Sequence, residues 1–121
     1  MTREAEELLG ELENAKQSGH LILVEGKNDK KGFKELGFEN VFAIDRMPLY
    51  RVVEEVMKRS KDVIIMTDLD KEGKKLYRYF HTHLTQRGVK VHNRLRNFMF
   101  KETNLKQMEG IVKYINRRGM P

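Results

Sequence analysis

A chain of 121 residues with a net charge of +6 has room for one domain with a real core, and no apolar run in it approaches the roughly 20 residues of a membrane span. With no cysteine, disulfides and thiolate metal sites are excluded. Charged residues make up 35% of the chain against 39% hydrophobic, a balance compatible with a heat-adapted protein that leans on ion-pair networks.

The opening residues, Thr2-Arg3-Glu4-Ala5-Glu6-Glu7, are acidic and lack the apolar core of a signal peptide, so a soluble cytoplasmic protein is expected. Ala5, Leu8, Leu9, Leu12 and Ala15 recur at helical spacing between acids and predict an amphipathic helix ending at Ser18-Gly19. Leu21-Ile22-Leu23-Val24, stopped by Glu25-Gly26, is a short continuous apolar run. That is the pattern of a strand buried on both faces. Asn28 is expected to cap a helix through Phe33 and Leu36, closed by Gly37. Val41-Phe42-Ala43-Ile44 predicts a second buried strand, ending in Asp45. Pro48 suits the first turn of a helix whose buried stripe is Leu49, Val52, Val53, Val56 and Met57. Val63-Ile64-Ile65-Met66 is a third strand, and a long helix over residues 71–87 turns Leu76, Tyr77, Phe80 and Leu84 inward. Gly88 ends it, and Val89-Lys90-Val91 predicts a fourth strand. Residues 93–100 fit neither period. Thr103 or Asn104 caps a last helix, with Leu105, Met108, Ile111, Val112 and Ile115 on one side and Gly119 beyond it.

Strand and helix alternate without a long linker, a low-complexity segment or a repeat. The expected class is therefore α/β: a compact, Rossmann-like parallel sheet of about four strands with helices on both faces. Such sheets place their site at the carboxyl ends of the strands, and Glu25, Asp45, Asp68 and Asp70 all close or follow strands. Converging carboxylates repel one another unless a cation or proton intervenes. With no cysteine and no paired histidine nearby, they form a hard-oxygen site suited to Mg²⁺ or Mn²⁺. Asp68 and Asp70 lie two apart across a turn and can aim at one ion; Glu72 follows, and Gly73 lets the backbone stay close to a ligand. The adjoining helix N-terminus favours a phosphate.

Three other readings compete. An EF-hand loop would need Glu where Tyr79 stands, and a helix rather than a strand before it. A haloacid-dehalogenase-like phosphatase carries its Asp-x-Asp on the first strand, not the third. Asp68 and Asp70 could also merely cap the helix starting at Lys71, against which stands Glu25-Gly26 at the end of a second strand.

Leu23-Val24-Glu25-Gly26-Lys27-Asn28-Asp29, followed by Met66-Thr67-Asp68-Leu69-Asp70-Lys71-Glu72-Gly73, resembles the Toprim domain of topoisomerases, primases and ribosomal-RNA-maturing nucleases. Both motifs of that family are present in order, about 40 residues apart, and the resemblance covers residues 20–92. It implies that Asp68 and Asp70 hold Mg²⁺, with Glu72 as the extra acid some topoisomerases carry. It also implies that Glu25 acts as general acid or base or shares the metal, with Gly26, Asp29 and Gly73 in support. The family's frequent Gly-containing turn after the second strand is replaced here by Asp45-Arg46-Met47, with Asp45 read as a cap for the Pro48 helix. There is no room for the tyrosine domain of a topoisomerase or the partner domains of a primase. The chain thus looks like a small stand-alone Toprim protein, closest to the nuclease branch, with residues 1–19 as a packing helix and 93–121 as a basic extension.

From Gln86 onward the sequence holds nine Lys/Arg against two acids, whereas the first 85 residues hold 15 against 16. A near-neutral body with a basic end points to nucleic acid, RNA or DNA, before a membrane, and leaves protein partners open. Lys27, Lys30, Lys31, Lys74, Lys75 and Arg78, on helices starting at the proposed site, form a candidate rim for nucleic-acid backbone. His81 and His83, two apart on a helix, read as surface residues, and His20 and His92 as isolated strand-flanking ones. Tyr77, Tyr79 and Phe80 read as core and rim rather than a base-stacking platform. The expected activity is Mg²⁺-dependent phosphoryl transfer on nucleic acid, by a nuclease or nicking enzyme. The alternative is a non-catalytic nucleic-acid-binding module whose metal organises a complex; a small-molecule phosphatase is disfavoured by the basic end.

Overall fold

The computed structural model describes residues 3–103. Along them run α1 (Arg3–Ser18), β1 (Leu21–Val24), α2 (Lys27–Glu35), β2 (Val41–Ala43), α3 (Leu49–Arg59), β3 (Asp62–Met66), α4 (Lys71–Gln86), β4 (Lys90–Val91) and α5 (Arg94–Thr103). The strands form one parallel sheet in the order β2-β1-β3-β4, the α/β architecture that the alternating pattern predicts. No helix among the described residues is long and apolar enough to cross a membrane.

Successive residues of the two central strands feed opposite faces, which is why the strands read as unbroken apolar runs. Ile22, Val24, Ile64 and Met66 face α1, α2 and α5, meeting Leu8, Leu12, Phe33, Leu36, Leu95 and Met99. Leu21, Leu23, Val63 and Ile65 face α3 and α4, meeting Val52, Val53, Val56, Phe80 and Leu84. At about 1.5–3 kcal/mol for each fully buried side chain, these two layers dominate the stability and fix the register. From β1 the chain moves outward to β2, then crosses back through α3 to β3 on the other side of β1. The crevice between the carboxyl ends of β1 and β3 is therefore the topological switch point of the sheet.

Several local expectations change. Helix α2 starts two residues before Asn28 could cap it. Its N-cap is Gly26, whose N–H donates to the Asp29 carboxylate at 3.1 Å. Gly37, at φ +100°, closes that helix as expected. Asp45 does not cap the next helix: the N-cap of α3 is Pro48, with no side-chain cap, and Asp45 pairs instead with Lys27 at 3.6 Å. Met57 is exposed rather than part of the α3 stripe, because the stripe is completed at Val56. The fourth strand shrinks to Lys90–Val91. The ambiguous residues 93–100 are helical because Leu95, Met99 and Phe100 together cover one side of the sheet and α1. The predicted last helix, with Leu105, Met108, Ile111, Val112 and Ile115, lies outside the described residues.

Candidate functional site

The register Val24↔Met66 brings the ends of β1 and β3 level, so Glu25 and Thr67 leave the sheet side by side. Glu25 is half-buried, and its Oε2 accepts the backbone N–H of Asp68 at 2.6 Å, a bond across 43 residues of chain. The loop it meets is rigid for local reasons. The Thr67 hydroxyl, wholly buried, donates to the Gly73 carbonyl at 2.8 Å, and the Gly73 N–H donates to Asp70 Oδ1 at 2.8 Å. These two bonds pull the first turn of α4 against the loop. A Cβ at Gly73 would lie 2.1 Å from the Asp68 carbonyl oxygen, so only glycine fits there. The close approach that Gly73 permits is to the backbone of Asp68.

From behind, buried Arg96 of α5 donates through Nη2 to the carbonyls of Thr67 (3.2 Å) and Asp68 (3.1 Å). Its guanidinium is sandwiched between the rings of Tyr77 (4.5 Å) and Phe100 (4.9 Å), while its Nε has no partner among the described residues. In the sequence Arg96 is one basic residue among nine. The one available signal is that it interrupts an apolar stretch, Leu95 to Phe100, that has to face the core.

Four acids share this crevice. The Glu25 carboxyl is pushed up to about 7, first by burial and then by the charges of Asp68, Asp70 and Asp29, against the lowering effect of the Asp68 N–H. A set of carboxylates whose buried member resists taking its charge suits a hard divalent cation. Asp70 already spends one oxygen capping α4, and among the described residues the acids here do not form a trio with ligand atoms within 4.8 Å of one another. Mg²⁺, which keeps several waters and takes one or two carboxylates directly, does not require such a trio.

Glu72 sits exposed on the first turn of α4, without a bond to the other acids among the described contacts. Gly26 and Asp29 act on each other, as the start of α2. Helices α2 and α4 begin at the crevice but cover opposite faces of the sheet. Lys27 and Lys31, exposed, and Lys30, half-buried, lie on α2, and exposed Lys74, Lys75 and Arg78 on α4. Lys27 is partly engaged by Asp45.

At the opposite end of the sheet, His20, Asp62 and His92 come within 4.8 Å of one another. Read along the chain the two histidines look isolated; the register Leu21↔Val63 and Val63↔Val91 assembles them, and no linear spacing reveals that.

Residues 19–93 match the family profile described as the Toprim domain. A UPF0292 protein of Methanocaldococcus jannaschii is 37% identical over 101 residues, covering 80% of this chain and 79% of that protein. A UPF0292 protein of Methanosarcina barkeri is 32% identical over 117 residues, covering 93% of this chain and 80% of its own length. A solved structure of a protein from Aquifex aeolicus superposes with a TM-score of 0.76 at 31% identity, covering 90% of this chain and 99% of that one.

Proposed function

The chain belongs to the Toprim domain family, and we propose that it is a Mg²⁺-dependent phosphoryl-transfer enzyme acting on nucleic acid, a small stand-alone nuclease close in layout to the ribosomal-RNA-maturing branch. The observation that carries this is the contact between the half-buried Glu25 carboxylate and the Asp68-Leu69-Asp70 loop at the switch point of the sheet. The family generally binds divalent metal and is associated with nucleic acid. Asp68 and Asp70 are the residues to hold the ion, with Glu72 next to them. When bound, the ion neutralises charge developing on the phosphate. Glu25 moves a proton at its carboxylate, which burial and the neighbouring acids keep protonatable near neutral pH. The N-termini of α2 and α4 accept the phosphate, and Lys27, Lys30, Lys31, Lys74, Lys75 and Arg78 draw in the backbone on either side. Residues 20–92 form this unit with Arg96 supporting it from behind, and the other basic residues from 93 onward add sequence-independent affinity.

A second reading, a non-catalytic nucleic-acid-binding subunit, is favoured by one observation: Asp70 is engaged as a helix cap. Incubation with labelled single- and double-stranded RNA and DNA in Mg²⁺ separates the two. The nuclease reading expects cleavage that is lost in Asp68→Ala and in Glu25→Gln. Salt-sensitive binding without cleavage, unchanged by Glu25→Gln, establishes the other.

A further inference from the structure

We propose that His20, Asp62 and His92 form a second metal site, at the amino end of the sheet, for one borderline transition-metal ion such as Zn²⁺. Each residue offers one ligand atom, and the three atoms lie within 4.8 Å of one another. His92 Nε2 donates to Asp62 Oδ1 at 2.9 Å, and the His20 ring stacks on the His92 ring with centroids 4.3 Å apart and planes 18° from parallel. An aspartate with one histidine is an ordinary hydrogen bond. A second imidazole whose ring nitrogen lies within 4.8 Å of both makes a set of three ligand atoms, which a turn of the stacked rings about their side-chain bonds would aim at one ion.

The donors rest on three rigid places. His20 directly precedes β1, Asp62 opens β3 and His92 follows β4. Asp62 is bracketed by Lys90 N–H donating to the Lys61 carbonyl (2.8 Å) and His92 N–H donating to the Val63 carbonyl (2.9 Å). Ser60 fixes it further, its hydroxyl donating to the Asp62 carbonyl at 2.7 Å and accepting the Asp62 N–H at 3.1 Å. Two nitrogens and one carboxylate match the ligands of three-coordinate protein zinc sites, which leave one position open, and not the all-oxygen shell of Mg²⁺.

Electrostatics favour a cation here. Helix α1 ends at Ser18, two residues before His20, and α3 at Arg59, three before Asp62, so the chain enters the cluster from the negative ends of both helix dipoles. Burial lowers the His20 pKa, His92 and Lys90 lower it further, and Asp62 opposes them, which keeps the imidazole neutral and able to ligate. Asp62 is held in its charged form by the hydrogen bond from His92. A metal would take the place of the proton now shared by His92 and Asp62. The side chains of His92 and Asp62 are 30% and 39% exposed, enough for an ion to enter from solvent. His20 and His92 line a cleft of about 170 Å³ that also includes Asn14, Ser18, Glu11 and Arg94, with room for an exchangeable fourth ligand. Glu11 is bound to Arg94 at 2.7 Å and is not that ligand.

The test is titration of the full chain, stripped of metal, with Zn²⁺ in excess Mg²⁺, so that hard-cation sites at the other end are occupied. The expected result is one equivalent bound with a micromolar or tighter Kd, a rise in Tm, and tetrahedral-type visible bands when Co²⁺ replaces Zn²⁺. His20→Ala and His92→Ala should each weaken binding by about 100-fold, and an Asp68→Ala/Asp70→Ala double variant should retain it. Should the histidine variants not fold, imidazole NMR of the wild type decides: Zn²⁺ shifts the resonances of His20 and His92 and leaves those of His81 and His83. No Zn²⁺ uptake by the wild type, uptake unchanged by His92→Ala, or uptake lost with Asp68 and Asp70 overturns the site.

Discussion

The two ends of this sheet are built from the same four strands but present opposite chemistry. At the carboxyl end, acids from β1 and β3 meet beneath the N-termini of α2 and α4, which favour an anion such as phosphate. At the amino end, imidazoles and one carboxylate lie beside the C-termini of α1 and α3, which favour a cation. Parallel topology enforces this polarity, because each crossover helix runs antiparallel to the strands it joins. The difference teaches that the direction of the helices, as much as the residues, sorts which partner each end of a parallel sheet accepts.

The largest break in the comparison comes from Gly73→Ala. A methyl group 2.1 Å from the Asp68 oxygen cannot be relieved by a side-chain movement, so the α4–loop junction must open. A loss of about 4 kcal/mol or more in chemical denaturation is expected, with failure of the carboxyl end. Asp68→Ala follows: cleavage should fall by about 100-fold or more, roughly 3 kcal/mol, while Zn²⁺ binding at the amino end stays intact. A simultaneous loss at both ends would mean that the ends are not independent.

Arg96→Met keeps much of the stacked volume but removes the donors to the Thr67 and Asp68 carbonyls. Loss of about 2 kcal/mol is expected, together with weaker Mg²⁺ affinity measured by calorimetry. Glu25 gives a pH signature. Its carboxyl is raised in the folded state, so its contribution to stability is fully present below the unfolded value of 4.5 and lost as pH rises through about 7. The wild type should therefore lose stability between pH 5 and 8, relative to Glu25→Gln, by about 1 kcal/mol once its half-exposure is discounted. Denaturation at both pH values checks this, and Mg²⁺ should shrink the gap. The smallest effect is that of Lys27→Ala. Its exposed pair with Asp45 is worth at most about 0.5 kcal/mol of stability, but its loss should lower the salt slope of nucleic-acid binding by about one.

The sheet was legible in the sequence because both faces of β1 and β3 are buried, so hydrophobicity alone marks the strands. The pairing of Glu25 with the Asp68 loop was legible because both lie at strand ends, and the switch-point rule needs no register. What stayed hidden depended on register or on burial of polar groups. Arg96 is counted among surface charges until α5 turns it inward between Tyr77 and Phe100. His20 and His92 are separated by 71 intervening residues and meet only through β3. The capping of α2 was misplaced because Asp29 reaches back to the Gly26 N–H, a bond that leaves Asn28 no role at the helix start.

The brevity of β4 has a consequence for solubility. Only Asp62 and Val63 of β3 have a partner in β4, so among the described residues no strand lies beside the outer edge from Ile64 to Met66. A bare, apolar edge is a template for pairing with another chain. Helix α5 lies along this flank, and the Arg96 guanidinium takes up the two carbonyls just beyond the edge, as a neighbouring strand would. Removal of this buried cation is therefore expected to show as aggregation on concentration or heating.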